Sequence, residues 1–411
     1  MRAGLLGRKL GHSFSPRIHS FFGDYSYDLF EVEPDALDEF LKSDRYDALN
    51  VTIPYKRDVI PHCAELSEAA RQIGSVNTIV RRADGTLFGD NTDAAGFAAM
   101  LDRLNVSPAG RKALVLGSGG ASLTVQHVLK ARGAAEVVVI SRSGADNYEN
   151  LERHADAAIL VNTTPVGMYP NNGEAPLDLA RLPKLEAVLD VIYNPARTKL
   201  MQDAAARGIP CIGGLEMLVE QARAASERFT GKPVSPELAD TVLTSLREES
   251  QNIILVGMPG SGKTTVGKQI AARTGRQLVD LDDVIVANIG MSIPEFFELH
   301  DEPAFRAEET RAIAETCKQS GLVIATGGGC ITQERNRDLL KQNGVVLFLQ
   351  RDLALLSTKG RPLSQRNSLE EMYTYRLPLY RAFADAEIES TGVPELTAEK
   401  MLEVYHEIVS R

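Results

Sequence analysis

Tryptophan is absent from this chain and cysteine is scarce: 411 residues hold four, Cys63, Cys211, Cys317 and Cys330. They are widely spaced and form no CxxC pair, which excludes a disulfide framework and a cysteine zinc site and leaves reduced, structural thiols. Long apolar runs are missing too. None approaches the roughly 20 residues that span a bilayer, and residues 1–11 are too short and glycine-broken for a secretory signal. A cytoplasmic chain with no membrane partner is expected. Positive charge is in short supply, with 45 Lys and Arg against 55 Asp and Glu, a net charge of -10. That balance excludes a broad nucleic-acid footprint, which needs clustered cations, but leaves anionic small molecules open because a few local cations suffice. Repeats and low-complexity tracts are also absent, and nothing in the sequence sets an oligomeric state.

What is present is a rhythm. Short apolar runs at 113–116, 137–140, 159–161 and 188–191 alternate with longer amphipathic stretches, which predicts βαβ units, parallel sheets and an α/β fold. A chain of 411 residues divides into two or three domains, each large enough to bury a core. Helices are predicted over 218–229 and 236–247, the second with Ser235 as its N-cap. Polar Glu248-Glu249-Ser250-Gln251 then precedes a fresh strand at 252–256. The main boundary is placed there, between a domain over 1–249 and another over 252–411.

Each part carries a glycine loop suited to phosphate. In the second part, the strand at 253–256 runs into Gly257-Met258-Pro259-Gly260-Ser261-Gly262-Lys263-Thr264-Thr265, the order of strand, loop, lysine and hydroxyl that a P-loop needs. The backbone N–H groups of Gly260, Ser261, Gly262 and their neighbours turn toward phosphate, Lys263 reaches the β- and γ-phosphates, and Thr264 ligates Mg²⁺. Asp280 and Asp282 follow a strand, Phe305-Arg306-Ala307-Glu308-Glu309 opens a helix, Gly327-Gly328-Gly329 follows another strand, and Arg361-Pro362-Leu363 precedes Arg376-Leu377-Pro378-Leu379-Tyr380. Singly, each has an ordinary explanation as a surface ion pair, a turn cap or a loop.

Together these motifs resemble shikimate kinase across 252–411. The resemblance implies a P-loop domain with a parallel sheet, ATP and Mg²⁺ as cofactors and shikimate as acceptor. Arg306 and Arg376 would clamp its carboxylate, a task suited to planar guanidinium groups, with Glu309 orienting Arg306. Asp282 would accept or align the acceptor hydroxyl's proton, Asp280 would contact Mg²⁺ through water, and Gly328 would meet the ring hydroxyls. Arg361 would close from a lid to neutralise developing charge. The segment before it, Leu356-Ser357-Thr358-Lys359-Gly360, is shorter than usual and offers Lys359 in place of an arginine for adenine.

In the first part, Gly117-Ser118-Gly119-Gly120-Ala121-Ser122 lies between a strand and a helical stretch, the context of a dinucleotide turn. Ser122 takes the third glycine position, so helix and strand must accommodate a hydroxymethyl group. The next strand ends in Ser141-Arg142-Ser143 where an NAD site would place Asp or Glu, which favours the 2′-phosphate of NADP(H). A merely solvated arginine is the alternative. Four clusters precede this turn: Gly11-His12-Ser13-Phe14-Ser15-Pro16, Asn50-Val51-Thr52-Ile53-Pro54-Tyr55-Lys56, Gly74-Ser75-Val76-Asn77-Thr78 and Asn91-Thr92-Asp93. With Gly213-Gly214-Leu215-Glu216-Met217-Leu218-Val219-Glu220-Gln221, they make residues 1 to about 249 resemble shikimate dehydrogenase.

That resemblance implies a substrate domain over 1–93 and about 216–249, a Rossmann-like NADP domain over about 94–215, and a cleft between them. Lys56 would protonate the carbonyl oxygen of 3-dehydroshikimate, oriented by Asp93. Ser13 and Ser15 would bind the carboxylate, Thr52, Asn77 and Gln221 the ring hydroxyls, and Tyr193 would also reach the substrate. Taken alone, Lys56 reads as a surface lysine and Asp93 as a helix cap. The two resemblances share shikimate, so the chain is expected to reduce 3-dehydroshikimate with NADPH and then phosphorylate the product with ATP. Two alternatives stay open: a quinate/shikimate NAD dehydrogenase in the first part, or a non-catalytic metabolite sensor.

Overall fold

A computed structural model describes residues 1–11, 13–356 and 369–410. The described residues fall into two compact units. The first comprises Met1–Met168, Glu174–Tyr193 and Leu200–Leu243; the second takes Tyr169–Gly173, Asn194–Lys199 and the chain from Thr244 onward. The division falls inside a helix, Pro236–Ser250, which ends directly before the strand Asn252–Val256. Ser235 caps that helix as its position predicts, its hydroxyl accepting from Leu238 N–H at 3.3 Å.

The first unit holds two sheets. One has six strands in the order Ser26–Glu31, Arg2–Gly7, Ala48–Val51, Thr78–Arg81, Leu87–Asp90, Glu65–Leu66. Here the expectation of parallel sheets needs correction, because Thr78–Arg81 runs antiparallel to both of its neighbours. A tight turn, in which Asp84 accepts from Thr86 N–H and Gly85 adopts φ 84°, reverses the chain from it into Leu87–Asp90. Asp-Gly is the turn signal for such a hairpin. The other sheet is parallel throughout, in the order Cys211–Ile212, Ala187–Asp190, Ile159–Asn162, Lys112–Leu116, Glu136–Ile140. Lys112–Leu116 has a crossover on either side, so the loop after it sits at the topological switch point where such sheets bind ligands.

The second unit is built on a five-stranded parallel sheet in the order Leu278–Asp280, Val323–Ala325, Asn252–Val256, Gly344–Gln350, Ala386–Glu389. Asn252–Val256 is buried at every residue, as a central strand covered on both faces requires. Ile254, Val256, Ile324 and Phe348 pack on one side of the sheet, and Ile253, Leu255, Val323 and Leu347 on the other. No cysteine is in a disulfide. Burial pushes the Cys317 and Cys330 thiols up to about 12, so they act as packing groups, not nucleophiles. Among the described residues no helix is long and apolar enough to cross a membrane.

Candidate active sites

In the first unit a set of polar contacts runs beside the mixed sheet. Ser13 Oγ accepts from Ser15 N–H at 3.2 Å, and Ser15 meets the phenol of Tyr27. Tyr27 in turn donates to Asn50 Oδ1 at 2.8 Å. Asn77, almost wholly buried, then takes Thr92 N–H at 2.7 Å and the Thr78 hydroxyl at 3.0 Å on its Oδ1. With that oxygen saturated, the Nδ2 amide hydrogens are what Asn77 has left to offer. Next to Thr92, Asp93 begins the helix Asp93–Arg103 and holds Lys56 Nζ at 2.6 Å. Both side chains of this pair are partly exposed. An ammonium so held can give a proton to a neighbouring oxygen and recover it from solvent.

Thr52 follows the strand that carries Asn50, and its backbone N–H bonds Leu6 O at 2.9 Å. Gln221 arrives from the helix Gly214–Thr230, which presses on Asp93–Arg103: a Cβ on Gly96 would lie 2.6 Å from Met217 O and 3.1 Å from Gln221 Cβ. Tyr193 is exposed and its ring stands edge-on to Phe14 at 6.0 Å, which ties it to the segment bearing Ser13 and Ser15. The sequence reading passed over Asn50, Thr78 and Thr92 as individual site residues, although each lies inside a cluster it had singled out. The missed signal was three buried polar side chains that can satisfy one another.

The dinucleotide-type turn is built as its glycines require. Gly117 adopts φ 99° and Gly119 caps the helix Gly120–Ala131. Cβ atoms at Gly119 and Gly120 would meet nothing within 4 Å, so this start of the helix, which continues into Ala121, faces the open space that a close-approaching phosphate group requires. Ser118 lies between Gly117 and Gly119. Ser122 is fully buried and its hydroxyl accepts from Gln126 Nε2 at 3.0 Å, which is how the missing third glycine is accommodated. At the end of the neighbouring strand Ser141 N–H bonds Asp146 O at 3.2 Å, leaving Arg142 and Ser143 exposed beside the turn.

The second unit holds a cavity of about 460 Å³ lined by Gly260, Gly262, Lys263, Thr264 and Thr265 of the P-loop together with Arg306, Glu309, Gly328 and Arg376. Gly260 and Gly262 adopt φ 82° and 97°, conformations that favour glycine. Lys263 Nζ rests on the carbonyls of Gly257 and Met258 at 2.9 and 3.1 Å, and among the described residues the Ser261 hydroxyl is buried without a hydrogen-bond partner. Thr264 Oγ1 donates to Asp280 Oδ2 at 2.6 Å, while the other oxygen of Asp280 caps the helix Leu281–Ile289 through Asp282 N–H.

In the same cavity Arg306 donates to Glu309 at 2.7 Å and to Glu302 at 2.9 Å. Burial raises the Glu309 carboxyl against the opposing pull of the Arg306 charge. Arg376 Nη1 and the Tyr380 hydroxyl both donate to Gly328 O, at 3.2 and 2.5 Å. All three glycines of 327–329 have close neighbours, and for Gly328 these include the Pro259 backbone nitrogen. A Cβ on Gly327 would lie 2.8 Å from Glu309 Oε1 and 3.1 Å from Asp282 Oδ1, one on Gly328 would lie 2.6 Å from Pro259, and one on Gly329 would strike the Arg306 guanidinium. Tyr380 escaped the sequence reading as a site residue, although it ends a motif already singled out. Arg361 and Lys359 fall outside the described residues.

Sequence models of three families match the chain: the shikimate dehydrogenase substrate binding domain over 5–79, the shikimate 5′-dehydrogenase C-terminal domain over 214–241, and shikimate kinase over 259–407. A shikimate dehydrogenase (NADP(+)) of Clostridium perfringens is 36% identical over 265 residues, covering 59% of this chain and 97% of the relative. One from Methanopyrus kandleri is 36% identical over 277 residues, 59% of this chain and 95% of its own. Among solved structures, a chorismate mutase/shikimate 5-dehydrogenase fusion protein from Clostridium acetobutylicum superposes with a TM-score of 0.58 at 35% identity, over 60% of this chain and 97% of that one. The Thermus thermophilus shikimate 5-dehydrogenase in complex with NADP(H) and shikimate gives 0.54 at 32%, over 59% and 98%. The chain therefore belongs to the shikimate dehydrogenase family and carries a shikimate kinase domain in its C-terminal part.

Proposed function

We propose that this chain makes shikimate and then phosphorylates it. Residues 1–249 reduce 3-dehydroshikimate to shikimate, with 1–93 and about 216–249 as substrate domain and about 94–215 as NADP domain. Residues 252–411 convert the product to 3-phosphoshikimate. Bound NADPH supplies the hydride, and bound ATP with Mg²⁺ supplies the phosphoryl group. The cavity that joins P-loop, Asp282 and paired arginines carries the reading, since it couples a triphosphate cradle to a carboxylate clamp.

The chain's own residues divide the work. Ser13 and Ser15 hold the substrate carboxylate, while Thr52, Gln221, Tyr193 and the Asn77 amide donors fix the ring hydroxyls. Lys56 gives its proton to the carbonyl oxygen as that oxygen gains charge, and Asp93 holds the ammonium in line. Arg142, with Ser141 and Ser143, receives the 2′-phosphate. In the second domain Arg306 and Arg376 grip the shikimate carboxylate, Glu309 keeps Arg306 aimed, and the Gly328 backbone meets a hydroxyl. Asp282 takes the proton of the attacking hydroxyl. Thr264 and Asp280 present hard oxygens that would hold Mg²⁺, Asp280 through water. Lys263 turns from its backbone carbonyls to the phosphates, and Arg361 neutralises the charge that develops there. Such chemistry belongs in the cytoplasm, where NADPH and ATP are available.

The test is a coupled assay of the purified chain with 3-dehydroshikimate and NADPH, followed by ATP and Mg²⁺. NADPH consumption should be followed by ADP and 3-phosphoshikimate. Activity with quinate and NAD in place of the first pair would replace the dehydrogenase assignment, and silence in both steps would sink the enzyme reading.

A further inference from the structure

Arg351 follows the strand Gly344–Gln350, which lies beside the strand leading into the P-loop. Its side chain turns back to that loop: Arg351 lines the cavity with Gly260, Gly262 and Lys263, and a Cβ built on Gly262 would lie 3.6 Å from Arg351 Nη1. Other cations of the cavity have oxygens to hold. Arg306 has Glu302 and Glu309, Arg376 has Gly328 O, and Lys263 has two backbone carbonyls. Among the described residues Arg351 Nε is buried with no hydrogen-bond partner. The carboxylate next in sequence, Asp352, is turned to Ala354 N–H at 3.0 Å. A guanidinium nitrogen withdrawn from water and left unpaired is unfavourable, unless an anion arrives to meet it.

We propose that Arg351 binds the phosphate chain of the nucleoside triphosphate, as a second cation beside Lys263. Gly262 is the N-cap of the helix Lys263–Thr274, so a guanidinium over it faces the helix terminus where phosphate oxygens gather. The planar fork can engage two such oxygens at once. The proposal rests on the kinase reading of this cavity and adds a residue to it that lies outside the P-loop and the lid.

The test uses the full chain, as wild type, Arg351→Ala and Arg351→Lys, with ADP binding followed by calorimetry and inorganic tripolyphosphate by its displacement of bound ADP. Melting of the ligand-free variants checks that they are folded, and the lysine variant keeps the test open should the alanine variant unfold. The expected result is a rise of about ten- to a hundredfold in Kd for both ligands in Arg351→Ala, partial recovery in Arg351→Lys, and an unchanged KM for shikimate. An unchanged Kd for tripolyphosphate overturns the proposal, and loss confined to ADP would assign Arg351 to the base. Failure of the kinase reading gives a different pattern: ADP binding that depends on Arg351, but no ADP formed from ATP when shikimate is added. A wild-type chain that binds neither ligand overturns both.

Discussion

At the scale of single residues, the glycines at 327–329 show how much meaning a missing side chain can carry. Taken alone, three glycines in a row read from sequence as an ordinary loop, whereas in the structure each lies close to a residue of the candidate site. Gly328 is the most constrained, because a Cβ would come within 2.9 Å of the Pro259 backbone nitrogen, an atom that cannot rotate away. Gly328→Ala should therefore push the loop and the P-loop apart and lower kinase turnover by about tenfold or more, the scale expected when catalytic groups are displaced by an ångström. Steady-state kinetics of the variant would check it; wild-type turnover would show that the loops yield freely.

His19 supports a second residue-level prediction. Burial lowers its pKa from 6.5 to about 3, with the ring stacked on Tyr27 at 4.1 Å and Nδ1 bonded to the Tyr25 hydroxyl at 2.7 Å. Below pH 6.5 the unfolded chain takes up a proton that the folded chain refuses. Stability therefore falls as pH drops from 6.5 toward 3, by an amount on the order of a few kcal/mol over the full window. His19→Phe keeps the stacking and removes the proton site, so its melting temperature should fall less than the wild type's between pH 7 and 5. Equal slopes would mean that other groups carry the acid sensitivity. This was illegible beforehand, since a histidine in a helix gives no sign of its burial.

Elements were legible where the pattern is long and regular. The parallel strands at 113–116 and 253–256 read as continuous apolar runs because both of their faces are covered. The mixed sheet was not anticipated. Its strands are short, four residues for Thr78–Arg81, too few for a period to decide direction. The deciding signal was local, the Asp84-Gly85 turn, and it was overlooked. Helix packing was likewise invisible. The contact between Asp93–Arg103 and Gly214–Thr230 depends on Gly96, whose missing Cβ leaves room for Met217 O. Gly96→Val should separate these helices and destabilise the fold by about 1–3 kcal/mol. Asp93 begins the same helix, so dehydrogenase kcat should drop while shikimate phosphorylation persists. Thermal unfolding together with both assays checks this, and an unchanged melting curve would show that the interface has slack.

For the whole molecule, the question is whether two chemistries on one chain are separable. Each candidate site draws its described residues from one unit: Lys56, Asn77, Asp93 and Gln221 from the first, Lys263, Asp282, Arg306 and Arg376 from the second. No proposed step borrows a side chain from the other unit. Lys56→Met should therefore lower dehydrogenase turnover by about 10²- to 10⁴-fold, the range for loss of a positioned acid or base, and leave phosphorylation of added shikimate intact. Lys263→Met should do the reverse, removing ADP formation while NADPH is still consumed. Mixing the two variants in one tube tests the pair further. If shikimate passes through solution, the mixture should make 3-phosphoshikimate from 3-dehydroshikimate after a lag while free shikimate accumulates. A mixture that stays inactive, with each variant still competent in its own step, would mean that the product of one site reaches the other only within a single chain.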